Sequence, residues 1–324
     1  MAGTLTHAYF SLDLYDKLSI RSKELLMHNK EDLKMFSQNT DPLFLYKIAT
    51  PWKQKKLRKF AYFSQSNKSL EFFTTLINYI KYNDYLYNPQ VMAYLYGMLS
   101  HYVLDSSIHP YIIYKTGYLK KDDSSTYKYN MLHEELETYI DNYLVVMKEK
   151  IKPHKFKCHK YCFNVDRFDK GLVDVIDWTY KEVYGIENFS KYYLDSCKYM
   201  KKFYKRFRYD PTGIKKGFYF LVDKTTPKKT LRTVPLSYKV RRMKDKLNLD
   251  HQVWYNPTDK RNKYNTSVLE IYTSALDKTV SMINDINQYM YYDKKINLNK
   301  VIGNLSYVTG KDCDNKKELK YFEF

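Results

Sequence analysis

The sequence predicts an all-α fold, on three observations. Apolar residues recur every three or four positions through most of the chain, which is the spacing of an amphipathic helix. No segment shows a convincing two-residue alternation, and residues 218–222 are the only short strand candidate. Nine Gly and nine Pro in 324 residues are too few for a collagen-like or low-complexity chain. The length suits one large domain or two ordinary ones.

Seven helices follow from the periodicity. Asn67 to Ser69 resembles the start of the second, and Asn88-Pro89 a cap and first-turn proline for the third. That third helix is expected to end near His109, because the residue before a proline disfavours the α region. The predicted helices are 12–36, 69–80, 89–109, 129–147, 168–184, 190–207 and 266–287.

The domain prediction is a single helical domain over residues 1–290, followed by a C-terminal extension over 291–324. Residues 208–262 are expected to form a long irregular excursion inside that domain, because most of the prolines of the second half lie there.

Charge is unevenly distributed along the chain. The net charge is +19, and residues 191–324 hold 29 Lys and Arg against 14 Asp and Glu. Within them, residues 201–250 form a candidate basic face for anionic membrane surfaces, the alternative being a solvated Lys-rich surface. No apolar run approaches the ~20 residues that span a bilayer. The N-terminus lacks a signal-peptide pattern, so a cytoplasmic location is expected.

Four cysteines do not make a disulfide scaffold. His154, Cys158, His159 and Cys162 lie close together, but their spacing lacks the second half of a zinc knuckle. The favoured interpretation of residues 154–162 is a basic, partly exposed loop.

The central feature is residues 85–114, which carry one formal charge, Asp105. A helix of this composition is expected to be buried nearly all round. His101 and His109 flank Asp105 at i−4 and i+4, so the three side chains form one stripe. A buried carboxylate cannot remain without partners, so either a hydrogen-bond network or a metal cation compensates it.

Further residues of the same ligand types strengthen the metal interpretation. His133 and Glu137 form a second i, i+4 pair, and His7 and Asp41 are candidates near apolar residues. Imidazole and carboxylate ligands without thiolates suit Zn²⁺ in an open hydrolytic site. A satisfied His–Asp network in a helical core remains the structural alternative.

These motifs resemble the zinc-dependent phospholipase C family, whose superfamily also contains the trinuclear-zinc single-strand nucleases. The resemblance implies a multi-helix domain of that type over about residues 1–280. The matching landmarks, in the family's order, are Thr4–His7, Asn39–Pro42, Gly97–Pro110, His133–Asp141 and Trp254–Pro257.

The resemblance implies three metals, of which two zinc ions are expected and a third is possible. The first would take Asp41, His101 and a bridging Asp105. The second would take His109, His133 and Glu137. The third would take His7, Asp105 and the amine of Ala2 once Met1 is removed. Asp41 and Asp105 are the implied catalytic carboxylates, Asp41 as base or water-orienting group.

Two positions modify this expectation. Gln65 stands where the family has a histidine, which weakens the first metal site unless Gln65 is a surface residue in a misaligned loop. Asp141 is a candidate acceptor that fixes a ligand imidazole, with a solvated acidic residue as the alternative.

The predicted function is zinc-dependent hydrolysis of a phospholipid-type phosphodiester. Two alternatives stay open. One is a nuclease or nucleotidase of the same fold, for which the basic C-terminal half and the abundant tyrosines would suit single-stranded nucleic acid. The other is a non-catalytic helical protein that keeps a partial zinc site, which Gln65 makes credible.

Overall fold

A computed structural model describes residues 3–47, 51–120, 123–206 and 243–323, together with Thr212, Ile214, Gly217, Phe218 and Leu221. The described chain is predominantly helical, which confirms the all-α prediction. Its α-helices are α1 (Thr4–Lys17), α2 (Ile20–Leu26), α3 (Lys30–Phe36), α4 (Pro51–Ser64), α5 (Ser69–Tyr82), α6 (Pro89–Thr116), α7 (Leu132–Glu149), α8 (Cys158–Tyr161), α9 (Lys170–Tyr184), α10 (Phe189–Arg206), α11 (Val268–Tyr292) and α12 (Leu298–Ile302). Short 3₁₀ turns lie at Asp41–Leu45, Tyr85–Tyr87, Ser124–Tyr129 and Pro153–Lys155.

The prediction of one long helix over residues 12–36 was wrong. The chain folds there into α1, α2 and α3, and α1 begins at Thr4. Leu18 is extended, and the Ser19 side chain accepts a hydrogen bond from the Ser22 amide, so α2 starts with its own cap. The breaks allow three short helices to pack around the core where one straight helix could not.

Helix α6 begins as predicted, because the Asn88 side chain accepts hydrogen bonds from the amides of Gln90 and Val91. Its predicted end near His109 was wrong, since the helix continues through Pro110 to Thr116. Proline removes the amide that would bond the Ser106 carbonyl. A Cβ added to Gly310 would lie 2.3 Å from that carbonyl oxygen, so the distant chain packs directly against the freed group.

The sequence analysis missed three helices and a pair of strands. The helices are α4, α8, which lies in the segment 154–162 expected to be a loop, and α12. The strands are the antiparallel pair β1 (Trp254–Asn256) and β2 (Asp259–Tyr264). Strand β2 is largely exposed and carries no apolar alternation, so its sequence has no strand signal. The strand candidate 218–222 lies mostly outside the described residues, and Phe218 and Leu221 are helical.

The core forms around α6, which is buried over most of its length as predicted. The remaining helices cover it from several sides, with α11 along its length and α1, α3, α7 and α9 around it. The C-terminal segment returns to this core, where Leu298, Ile302 and Tyr307 are buried. Within the described chain, no helix is both long and apolar enough to cross a membrane.

Candidate metal centre

The centre is organised by Asp105, which is completely buried in the middle of α6. Its Oδ2 lies 3.0 Å from Nε2 of His101 and 3.7 Å from Nδ1 of His109. The helical spacing alone produces this arrangement, because residues four apart lie on one face of a helix.

Two residues from other elements also contribute to the centre: His7 contacts Asp105, and Asp41 lies near His101. His7 on α1 places Nε2 3.1 Å from Oδ1 of Asp105, and its ring stacks on that of His101 with centroids 4.0 Å apart. Asp41, on the 3₁₀ turn Asp41–Leu45, places Oδ1 3.9 Å from Nε2 of His101. Both residues are buried.

Helix α7 supplies the other half of the centre. Glu137 Oε1 lies 2.7 Å from Nε2 of His133 and 3.5 Å from Nε2 of His109. The side chain of His133 is 25% exposed, the highest value among the seven predicted ligands, so solvent reaches the centre at this residue. The structure thus brings all seven predicted residues into one cluster.

Backbone carbonyls orient two of the imidazoles, and the sequence analysis missed both. His101 Nδ1 lies 2.9 Å from the carbonyl oxygen of Ser37, and His109 Nδ1 lies 2.7 Å from that of Tyr307. Such a contact places the proton on Nδ1 and turns the Nε2 lone pair toward the centre. A backbone carbonyl has no residue-type signature, so no sequence signal could have identified these partners.

Asp141 contacts different groups from those predicted. Its Oδ1 accepts hydrogen bonds of 2.7 Å from both the amide and the hydroxyl of Thr6, and Oδ2 accepts one of 3.1 Å from the Leu5 amide. The prediction that it fixes a ligand imidazole was therefore wrong. Asp141 caps the N-terminus of α1, where orphan amides favour a carboxylate, and so it positions the helix that carries His7.

Gln65 is buried beside the centre, which excludes the alternative of a surface residue in a misaligned loop. Its side-chain Nε2 donates a hydrogen bond of 2.8 Å to Oδ1 of Asp41. Its backbone carbonyl accepts one of 2.9 Å from the Tyr307 amide. The Gln65 side chain therefore contacts Asp41, at the sequence position where the resemblance implies a histidine.

Burial and neighbouring charges set the protonation of the cluster. Burial lowers the pKa of His7 to about 4 and that of His133 to about 3. Burial also lowers the pKa of His101, but the carboxylates of Asp105 and Asp41 outweigh it and raise that pKa overall. Neutral imidazoles at pH 7 are the form that binds metal ions.

The carboxyl groups divide into two kinds. Burial would raise the pKa of Asp105, but His109, His101 and His7 together hold it well below its usual range. Burial raises the pKa of Asp41 to about 7. Asp105 is thus a permanent anion, whereas Asp41 exchanges a proton near neutral pH.

The donor set fits metal ions. Two groups, His7/His101/Asp105 and His109/His133/Glu137, each offer three ligand atoms within 4.8 Å of one another. Nδ1 of His7 is buried and forms no hydrogen bond with described residues, while Nε2 of His7, His101 and His109 face carboxylate oxygens at 3.1, 3.0 and 3.5 Å. Buried nitrogens without hydrogen bonds are costly unless a cation binds them. Imidazole with carboxylate is a ligand combination that zinc accepts.

A comparison with family models adds an independent finding. The model described as zinc dependent phospholipase C matches residues 6–186, which is more than half of the chain and includes all seven clustered residues. The chain belongs to the zinc-dependent phospholipase C family. Searches of curated proteins and of solved structures found no match.

Family membership confirms the resemblance found in the sequence and supports a zinc phosphodiesterase at the level of the family. The matched region ends before β1, so the Trp254–Pro257 landmark and the C-terminal segment lie beyond it. The predicted amine ligand of Ala2 lies outside the described residues, as does most of the basic segment 201–250.

The segment 154–162 forms no additional metal group among the described residues. Its two cysteines are free, with Sγ atoms 4.0 Å apart, and Cys162 is buried.

Proposed function

We propose that the protein hydrolyses a phospholipid-type phosphodiester at the cluster around Asp105. One observation supports the proposal: two His/carboxylate groups lie next to each other, with Asp105 of one 3.7 Å from His109 of the other, inside the region that matches a zinc-dependent phospholipase C model. A phosphodiester is an anion, and burying an anion is costly unless opposite charge lies beside it. Two bound cations would supply that opposite charge in the buried site.

In this proposal His7, His101 and Asp105 hold one zinc ion, and His109, His133 and Glu137 hold a second. Bound zinc lowers the pKa of water and neutralises negative charge on the phosphate oxygens. The protein contributes orientation, because the carbonyls of Ser37 and Tyr307 fix the rings of His101 and His109.

Asp41 is the proposed general base. Its Oδ1 lies 3.9 Å from Nε2 of His101, beside the first ligand group, where a carboxylate can accept a proton from the attacking water. The amide of Gln65 donates to Oδ1 and fixes the orientation of the carboxyl plane. Asp105 acts as the permanent anion between the two metal groups.

The test combines metal analysis with hydrolysis. Protein purified without chelator is expected to contain about two zinc ions per chain, matching two three-ligand groups. It is expected to release phosphocholine from phosphatidylcholine and nitrophenol from p-nitrophenyl phosphorylcholine, with both activities lost on chelation. Zinc-loaded protein without hydrolysis of either ester would contradict the proposal.

A second candidate function is favoured by the Gln65–Asp41 hydrogen bond, which replaces an expected metal ligand by an amide. In that case the chain keeps a metal centre as a structural element and lacks catalysis. Bound zinc that raises the melting temperature, in protein that hydrolyses neither ester, is the result that distinguishes this candidate.

A further inference from the structure

Helix α4 carries a surface feature that the metal centre does not explain. Among its described side chains, residues 55–64, the exposed ones are four cations and two aromatic rings: Lys55, Lys56, Arg58, Lys59, Tyr62 and Phe63. At 100° per residue these six positions fall within an arc of about 160°, while Ala61 and Ser64 are buried on the opposite side. We call these six residues the α4 face.

The α4 face is positively charged without local compensation. Residues 51–64 contain no Asp or Glu. None of the four cations forms an ion pair with an acidic residue in the described part of the chain. Cations in this arrangement attract an anionic lipid surface by about 1 kcal/mol for each basic residue near it.

The two aromatic residues distinguish this face from an ordinary solvated one. Tyr62 is 52% exposed and Phe63 is 46% exposed, although both are large apolar groups next to each other. The Tyr62 ring packs edge-on against Phe44 with centroids 4.7 Å apart, so it is held at the surface. Exposed aromatics beside Lys and Arg on one helix face are typical of helices that lie in a membrane interface.

The face is connected to the centre. Ser64, the last residue of α4, places Oγ 3.5 Å from Oγ1 of Thr40, the neighbour of Asp41. The next residue, Gln65, contacts Asp41 itself. A membrane that contacts the α4 face therefore lies against the helix whose last residue, and the residue after it, contact Thr40 and Asp41.

We propose that the α4 face docks the protein onto bilayers that contain anionic phospholipid. The inference rests on the proposed function, because an enzyme that cleaves phospholipids must meet them at an interface. Charge complementarity supplies the attraction, and Tyr62 and Phe63 enter the headgroup region.

Vesicle flotation of the full-length protein tests the proposal, with phosphatidylcholine vesicles that contain or lack phosphatidylserine. Wild type is expected to bind the anionic vesicles in low salt and to be released by high salt. The double variant Lys55→Glu/Lys59→Glu is expected to bind about 30-fold more weakly or worse, from two lost basic contacts.

Controls separate the face from net charge and from folding. Lys294→Glu/Lys295→Glu makes the same change of charge at exposed positions after α11 and is expected to bind as wild type does. Tyr62→Ala/Phe63→Ala is expected to weaken binding about tenfold, whereas Tyr82→Ala, at a 70% exposed tyrosine, is not. Each variant is compared with wild type in melting temperature.

Equal weakening by both pairs of charge reversals would overturn the proposal, since net charge alone would then explain binding. The proposal would also be overturned if the α4 variants lost binding to a single-stranded oligonucleotide but kept vesicle binding. That result would assign the α4 face to nucleic acid.

Hydrolysis of a water-soluble ester separates this inference from the proposed function. The α4 variants are expected to hydrolyse p-nitrophenyl phosphorylcholine as wild type does, while losing activity on vesicles. Undiminished activity of these variants on vesicles would overturn docking alone. Binding that depends on the α4 face, in a protein that hydrolyses neither substrate, would overturn the proposed function alone.

Discussion

The side-chain amide of Gln65 donates a hydrogen bond of 2.8 Å to Oδ1 of Asp41, at a position where the family resemblance implies a histidine. An amide nitrogen has no lone pair available for a metal ion, so this contact satisfies a buried carboxyl without providing a ligand. The resemblance implies the first metal at this position, and here the Asp41 oxygen accepts a hydrogen bond from an amide instead of facing an imidazole. The other two groups of ligand atoms, His7/His101/Asp105 and His109/His133/Glu137, do not include Gln65.

Replacing Gln65 by His is expected to raise the zinc content by up to about one ion per chain, because an imidazole nitrogen would face Asp41 and His101. Elemental analysis of wild type and variant measures the change. Gln65→Leu is the control, since it removes the donor and adds no ligand. It is expected to bind no extra zinc and to lose about 1–3 kcal/mol of stability. Equal zinc content in wild type and Gln65→His would contradict this account of the position.

Asp105→Asn is expected to abolish most zinc binding, because it removes the carboxylate of one metal group, whose Oδ2 also lies 3.7 Å from Nδ1 of His109 in the other. Wild type should melt at a higher temperature with zinc than with chelator, by an amount equivalent to about 2.7 kcal/mol at one hundred times the dissociation constant. The variant should show no such difference. The control is Asp277→Asn at an exposed carboxylate of α11, which should leave the zinc effect unchanged. Equal melting temperatures of wild type with zinc and with chelator would favour the hydrogen-bond network over a metal centre. A zinc-dependent shift that survives in Asp105→Asn would show that zinc binds without Asp105.

Asp141 should make stability depend on pH. Burial raises the pKa of this carboxyl from 3.8 to about 7 in the folded protein. Between those values the folded state holds a proton that the unfolded state has released, so raising the pH favours unfolding. Metal-free wild type is therefore expected to lose about 3–4 kcal/mol relative to Asp141→Asn between pH 4 and pH 7.

Urea unfolding of both proteins across this pH range measures the difference. Glu134→Gln, at an exposed residue of the same helix, serves as the control and should follow the wild-type profile. Parallel profiles for wild type and Asp141→Asn would show that folding does not raise the pKa of Asp141.

Gly310→Ala should disturb the centre from a distance. Gly310 has φ +62° and a Cβ there would meet the Ser106 carbonyl oxygen at 2.3 Å, so the loop that carries Tyr307 must move. The free energy of unfolding should fall by more than about 2 kcal/mol. Zinc content should fall with it, because the Tyr307 carbonyl orients His109. Gly185→Ala is the matched control, with φ +68° and open space around the added Cβ. Similar losses in both variants would show that backbone strain alone, and not the contact with α6, explains the effect.

Much of the helical layout was accessible from local patterns. The start of α6 was predicted from Asn88-Pro89, because a cap acts within one turn of the chain. Helix α5 begins at Ser69 as predicted, although its N-cap residue Lys68 forms no side-chain cap hydrogen bond. The C-terminal ends of the helices were harder to predict. Helix α6 continues past Pro110, and Gly310, two hundred residues away in the sequence, packs against the Ser106 carbonyl whose amide partner the proline removes. No local pattern contains that contact.

The same division holds at the centre. The sequence by itself determined the stripe of His101, Asp105 and His109, because residues four apart lie on one face of any α-helix. Only the tertiary structure decided which distant groups meet that stripe: His7, Asp41 and the α7 pair, the carbonyls of Ser37 and Tyr307, and the amide of Gln65. Spacing within a helix follows from backbone geometry alone. Contacts between helices depend on how the whole core packs, and a carbonyl that any residue could provide leaves no mark in the sequence.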